Sequence, residues 1–212
     1  MYSRPHHVVD PIVAASHVVA ALQTIASRET DPLDAAVVSV TMFHAGDAYN
    51  VIPAGARVGG TIRSLSWPGL QRLRSRVEAV ITATAAAHLC NVTVEWSADA
   101  YPPTANDPDL WAWALGVAGA ASTEGAVRVI NPTMGGEDFS FIAERVPSVF
   151  LALGQGAKDF APTGDDGAPL GPFDTTVTVH NGRFVLHEDL LRRGTALHAH
   201  LALAYLDKNH AT

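Results

Sequence analysis

The sequence predicts an α+β/α/β chain in two parts. Residues 1–100 read as a split βαββαβ unit without its first strand, and residues 101–212 read as part of an α/β layer arrangement. Three observations carry this expectation. The first hundred residues run helix, strand, strand, helix, strand. A turn-rich stretch, AYPPTANDPD from Ala100 to Asp109, holds three prolines and marks a boundary. Beyond it, short apolar runs alternate with helical patterns.

Each element has its own signal. Asp10-Pro11 is an N-cap followed by proline at the first helical position. Ile12, Ala15, Val19, Leu22 and Ile25 or Ala26 then recur at helical spacing as far as Arg28. ETDPLD is a turn, and the β-branched run Ala36 to Phe43 predicts a strand. Gly46, Asn50, Pro53 and Gly55 punctuate a loop before a second strand, Arg57 to Ser64, in which Gly59-Gly60 predicts a bulge or a close backbone approach. Ser66 caps a long helix with Leu70, Leu73, Val77, Val80, Ile81 and Thr84 as its apolar stripe. Asn91 to Trp96 predicts a third strand. One more strand ahead of Met1 would complete the split unit, so the order itself points to a partial sequence.

In the second part the pattern predicts a helix over 110–121, a strand over 127–130, a helix over 138–145 and a buried strand, SVFLALG. A long Gly/Pro-rich loop from Gln155 to Asp174 leads to TTVTVHNGRF and a closing helix over 188–206. About a hundred residues of such a layer would leave a sheet edge exposed, a second sign of a partial chain.

Composition excludes several classes. At 48% hydrophobic and 17% charged, the chain is ordinary globular material. It has no apolar run long enough to span a membrane, and no targeting segment is legible. The net charge of −7 and the scattered basic residues argue against nucleic acid as a partner; Arg72, Arg74 and Arg76 do not share one helix face. One cysteine, Cys90, rules out an intrachain disulfide and a thiolate-rich zinc site, and is expected to be buried and unreactive. The compartment stays open, with the cytoplasm as default.

Four features could carry chemistry, each with a plainer alternative. Gly135-Gly136-Glu137-Asp138, between a strand and a helix, offers close backbone approach and free N–H groups to a carboxylate; it also reads as a turn with an acidic cap. Asn50 and Arg63, thirteen residues apart, could grip a substrate carboxylate at one end of a hairpin; equally, one makes a turn and the other is solvated. His180 ends a strand-like run before Asn181-Gly182, where metal ligands often project, yet one histidine is no metal site. His6, His7 and His44 are candidates for the same cleft or simply loop residues.

Taken together these residues resemble the aminoacylase/carboxypeptidase-type metallopeptidase superfamily, in the branch of hippurate hydrolases, N-acyl-amino-acid amidohydrolases and auxin–amino-acid conjugate hydrolases. The similarity runs through FHAGDAYNVIPAGARVGGTIRSL, AYPPTANDPDL, PTMGGEDFSFIAERVPSVFLALG and VHNGRFVLHEDLL in order. It implies a lid (dimerisation) domain over 1–100 and the C-terminal portion of a zinc-peptidase-like catalytic domain over 101–212. It further implies hydrolysis of the amide bond of N-acyl amino acids or small peptide-like substrates at a pair of divalent metals (zinc, or manganese or cobalt), and a homodimer through the lid. Residue by residue, His180 matches a metal ligand, Asn50 and Arg63 match the pair that holds the substrate carboxylate, often across the dimer, and Gly135 and Gly136 line that pocket. The general base and the other ligands are expected upstream of Met1, so no catalytic residue is assigned in this chain and its metal site is expected to be incomplete. Aligning Ser3-Arg4-Pro5-His6 with the family's Gly-His segment puts Met1 where an oxyanion-stabilising histidine belongs, and the loop from Gln155 to Thr178 is longer than the family pattern. The alternatives are a non-catalytic dimerisation or regulatory fragment and a simple carboxylate binder.

Overall fold

The computed structural model describes residues 5–122, 126–155, 179–182, 184, 186 and 188–210. The chain packs as two compact units, residues 1–105 with 130–147, and residues 106–129 with 148–212. The turn-rich stretch predicts a boundary near residue 100; the first division in the packing falls between Ala105 and Asn106. The segment 130–147, which includes Gly135-Gly136, packs with the first hundred residues. Among the described residues no helix is long and apolar enough to cross a membrane.

In the first unit, α1 (Pro11–Thr24) starts where expected, because the Asp10 carboxylate accepts from the N–H groups of Ile12 and Val13 at 2.9 and 3.3 Å. A π-helical turn, Ile25–Glu29, ends it. The buried face is Ala14, Ala15, Val18, Leu22 and Ile25. Val18 therefore takes the core position that the spacing assigns to Val19, and Ile12 is exposed. The helix α2 (Trp67–Ala87) begins at Ser66, whose hydroxyl accepts from Gly69 N–H at 3.2 Å, and it buries Leu73, Val77 and Val80 against α1. It ends without glycine: Leu89 adopts φ +59, and the N–H groups of His88 and Cys90 both reach the Ala85 carbonyl.

The strands β1 (Ala36–Ala45) and β2 (Ala56–Ser64) pair antiparallel, from Ala36 opposite Ser64 to Ala45 opposite Ala56. The register slips between Val40 and Met42, opposite Gly60 and Gly59. Gly60 lies where a Cβ would collide with the Ser39 carbonyl, so the expected bulge and the expected close approach both occur at this pair. Val38, Val40 and Ile62 pack on the helix pair.

Asn91 to Trp96 does not form the expected third strand; among the described residues the sheet contains β1 and β2 alone. A strand exists only through a neighbour's ladder of hydrogen bonds, and this segment has none. It is anchored through Trp96 instead, whose indole N–H donates to Glu78 and whose ring lies 5.0 Å from the Arg74 guanidinium.

The second unit is built on α3 (Pro108–Ala120) and α5 (Asp189–His210). Asp107 caps α3 by accepting from Leu110 N–H at 2.8 Å. Trp113 and Tyr205 meet edge to face at 5.5 Å, and the Lys208 ammonium lies 5.8 Å from the same indole. The expected strands over 127–130 and SVFLALG are not assigned as strands. The latter is tied down by single bonds: the Asn106 side chain accepts from Phe150 N–H at 2.7 Å and donates to its carbonyl at 3.3 Å, and Asp107 N–H reaches the Ser148 carbonyl at 2.9 Å. The expected helix over 138–145 contracts to one short turn, α4 (Ser140–Ala143), in the first unit. Most of the loop from Gln155 to Asp174, and the start of TTVTV, lie outside the described residues.

Candidate substrate-carboxylate site

The first unit contains a groove of about 1690 Å³. Arg63, Cys90, Tyr101, Met134, Gly135 and Gly136 are among its walls. Arg63 is brought there by β2, near the strand's end, opposite Val37. Its Nη1 donates to the Met134 carbonyl at 2.5 Å. That bond joins residues 71 apart in sequence and brings the strand and the Gly-Gly loop together. A guanidinium has five N–H donors in a planar fork, and holding one on a carbonyl orients the plane of the rest.

The loop itself is shaped by missing side chains. A Cβ on Gly136 would stand 3.1 Å from Cδ2 of Tyr101, so the loop backbone lies against that ring. Tyr101 is also near Phe141, with ring centroids 5.8 Å apart. The Ser140 hydroxyl donates to the Glu137 carbonyl at 2.5 Å and Ser140 is fully buried, which locks the turn that follows the glycines. The hydroxyl oxygen of Thr104, a further wall residue, is buried without a hydrogen-bond partner. Neither Tyr101 nor Met134 is legible as a site residue in the sequence. The one available signal is Gly136 itself, since a residue without Cβ marks a place of close approach.

Asn50 is placed differently. It lies exposed in the loop 46–55, at the end of the hairpin where Ala45 pairs with Ala56. Arg63 is seven residues along β2 from Ala56, about 23 Å at ~3.3 Å per residue. The expectation puts the amide and the guanidinium at one end of the hairpin; the register puts the Asn50 loop at one end and Arg63 near the other. His44, opposite Arg57, stands at the Asn50 end. The rings of His6 and His7 lie 4.1 Å apart, tilted by 43°, in a short 3₁₀ turn. Cys90, expected to be buried, is only partly so and faces the groove, because it follows the left-handed turn that ends α2.

His180 belongs to the second unit, exposed in the turn before Asn181 and Gly182, with φ +68. Left-handed backbone is uncommon for a histidine and sets the ring's direction independently of any strand pleat. Among the described residues no three His, Cys, Asp or Glu side chains stand together as metal donors. A tetrahedral or dinuclear centre needs several such donors, so the described residues do not by themselves fit a metal centre.

Comparison with known proteins bears on the family. The sequence model of "Peptidase family M20/M25/M40" matches residues 5–204. An Arabidopsis thaliana protein, "IAA-amino acid hydrolase ILR1-like 4", is 39% identical over 206 residues, which cover 95% of this chain and 44% of that protein. A solved methicillin-resistant Staphylococcus aureus protein assigned to the aminohydrolases superposes with a TM-score of 0.81 at 25% identity, covering 96% of this chain and 49% of that one. A Bacillus subtilis dinuclear metal-binding peptidase of the M20 family superposes with a TM-score of 0.71 at 25% identity, covering 94% and 46%. The chain thus spans about half the length of the relatives it matches. With the match running from residue 5 to residue 204, the chain belongs to the peptidase family M20/M25/M40, a family of hydrolases with mixed α/β structure.

Proposed function

We propose that this chain is part of a metal-dependent amidohydrolase that cleaves the amide bond of N-acyl amino acids. In this reading residues 1–100 form the substrate-gripping, dimerising lid, and residues 101–212 form the C-terminal portion of the catalytic domain. The observation that carries it is the Arg63 guanidinium, held by Met134 beside Gly135 and Gly136 in the wall of one groove. Such an arrangement suits a planar anion: the fork donates in plane, and glycine backbone lets the carboxylate come close. The relative that hydrolyses amino-acid conjugates supports a substrate with a free carboxylate next to the scissile amide.

Asn50, at the far end of the hairpin, serves the same carboxylate only from a second copy, which makes a homodimer part of the proposal. His180 would be one donor to a divalent-metal centre, which would need further donors and a general base beyond the groups that the described residues bring together. Such metals polarise an amide carbonyl and activate water. In this division of labour Arg63 orients the substrate.

Hydrolysis of N-benzoylglycine by an active enzyme that carries this chain tests the proposal. Arg63→Ala is expected to raise KM by roughly tenfold or more with little change in kcat, as for loss of a binding contact that is equal in ground and transition states. An unchanged KM would remove Arg63 from the substrate site. The 212-residue chain by itself is expected to release no benzoate with zinc or manganese added; turnover by it would contradict the assignment of the base elsewhere.

A further inference from the structure

We propose that Tyr101 is a positioning residue for Arg63, acting through the loop 133–136. The inference rests on the carboxylate-binding reading of Arg63. Tyr101 lies in the turn-rich stretch after residue 97, more than thirty residues in sequence from the loop it touches. Its ring occupies the space a side chain on Gly136 would fill, with Cδ2 and Cγ at 3.1 and 3.4 Å from that Cβ position. It also meets Phe141, the centroids 5.8 Å apart and the planes at 47°. The loop is thus backed by an aromatic pair, one ring of which comes from five residues beyond Gly136. Two residues before Gly136, the Met134 carbonyl receives Arg63 Nη1 at 2.5 Å.

Arginine on a strand end has many rotamers, and a carbonyl orients it only if the carbonyl itself is held. Glycines at 135 and 136 lack side chains that could hold the loop, so the contact with Tyr101 supplies that restraint. Tyr101 is 52% exposed, so its ring is not a core element whose loss would unfold the unit. The ring face alone does the work described, which makes phenylalanine an adequate substitute.

The 212-residue chain is sufficient for the test, with hippurate as the probe and NMR of the arginine side chains and of the amides of 133–137 as the readout. Wild type is expected to show hippurate-dependent shifts at Arg63 that vanish in Arg63→Ala. Tyr101→Phe is expected to match wild type. Tyr101→Ala is expected to weaken the hippurate response roughly tenfold, and to speed hydrogen exchange at the Arg63 guanidinium without hippurate, while the amides of α1 and α2 keep their protection. If Tyr101→Ala binds hippurate as wild type does while Arg63→Ala does not, the positioning role is wrong and the carboxylate site stands. If hippurate leaves Arg63 undisturbed in wild type, the carboxylate site falls and the positioning role with it.

Discussion

The two units differ in how their apolar residues are used. In the first, two helices and a hairpin converge on Val18, Leu22, Ile25, Leu73, Val77 and Val80, all buried together. In the second, the buried hydrophobic residues among those described are Ala114 and Ala118, while Val129, Leu151 and Leu153 remain exposed. The contrast teaches what each sequence segment needs. Helices satisfy their own backbone and require only a partner face, whereas segments of strand character stay irregular until another strand supplies the ladder. The first unit has a paired hairpin to cover its helices. The second, among its described residues, has apolar runs outside any sheet, and the run at 148–154 is held in part by an asparagine side chain and a backbone bond.

Such a difference predicts unequal responses to substitution. The largest is expected at Leu73, 2% exposed at the centre of the first core, where Leu73→Ala should cost about 2–5 kcal/mol. Urea unfolding read through amide exchange of α1 and α2 measures it. A loss no larger than that from Ala118→Gly in the second unit would mean that the first core is no tighter than the second.

A smaller effect is expected at Asn106, whose amide makes both bonds to the Phe150 backbone. Asn106→Ala should cost roughly 1–2 kcal/mol, from two ordinary hydrogen bonds at about 1 kcal/mol or less each. Exchange should accelerate at Phe150 and leave the hairpin of the first unit untouched. Equal acceleration in both units would show that they unfold as one, and the contrast between them would not hold.

The smallest concerns the surface of the first unit. Arg76 grips Glu29 with two bonds, at 2.5 and 3.0 Å, and the hydrogen bond from Arg76 holds the Glu29 carboxyl below its ordinary value of 4.5. A carboxylate with a depressed folded pKa contributes stability above its unfolded value, and that contribution disappears as pH falls through the folded one. The pair is solvent-exposed and screened, so the effect is slight. Glu29→Gln should remove this part of the acid sensitivity, seen as a flatter denaturation midpoint on going from neutral pH to below 4.5. An unchanged acid profile would show that the ion pair contributes nothing to holding the end of α1.

Much of the first unit is legible in the order of its residues. Asp10-Pro11 and Ser66 begin helices because their side chains accept from free N–H groups one turn ahead, which is a purely local event. Gly59-Gly60 announces a bulge because only residues without Cβ tolerate the Ser39 carbonyl so near. Faces and partners are less legible. Val18 and Val19 are chemically the same, and only the position of α2 selects the former. Asn91–Trp96 has every local mark of a strand and no ladder. For the site, Arg63 and the glycines stand out by residue type, but the separation of Asn50 from Arg63 follows from the pairing of Ala45 with Ala56.

By itself, then, the sequence determined the helices with their caps, the hairpin with its bulge, and the chemical types that mark an M20 chain, because propensity, capping and the demand for glycine act within a few residues. Only the tertiary structure decided which valine is buried, which apolar runs become strands, and that Arg63 meets Met134 across 71 residues while Asn50 stays at the hairpin's other end. Those outcomes depend on pairing and packing between distant segments, and neither has a signature in the local order of residues.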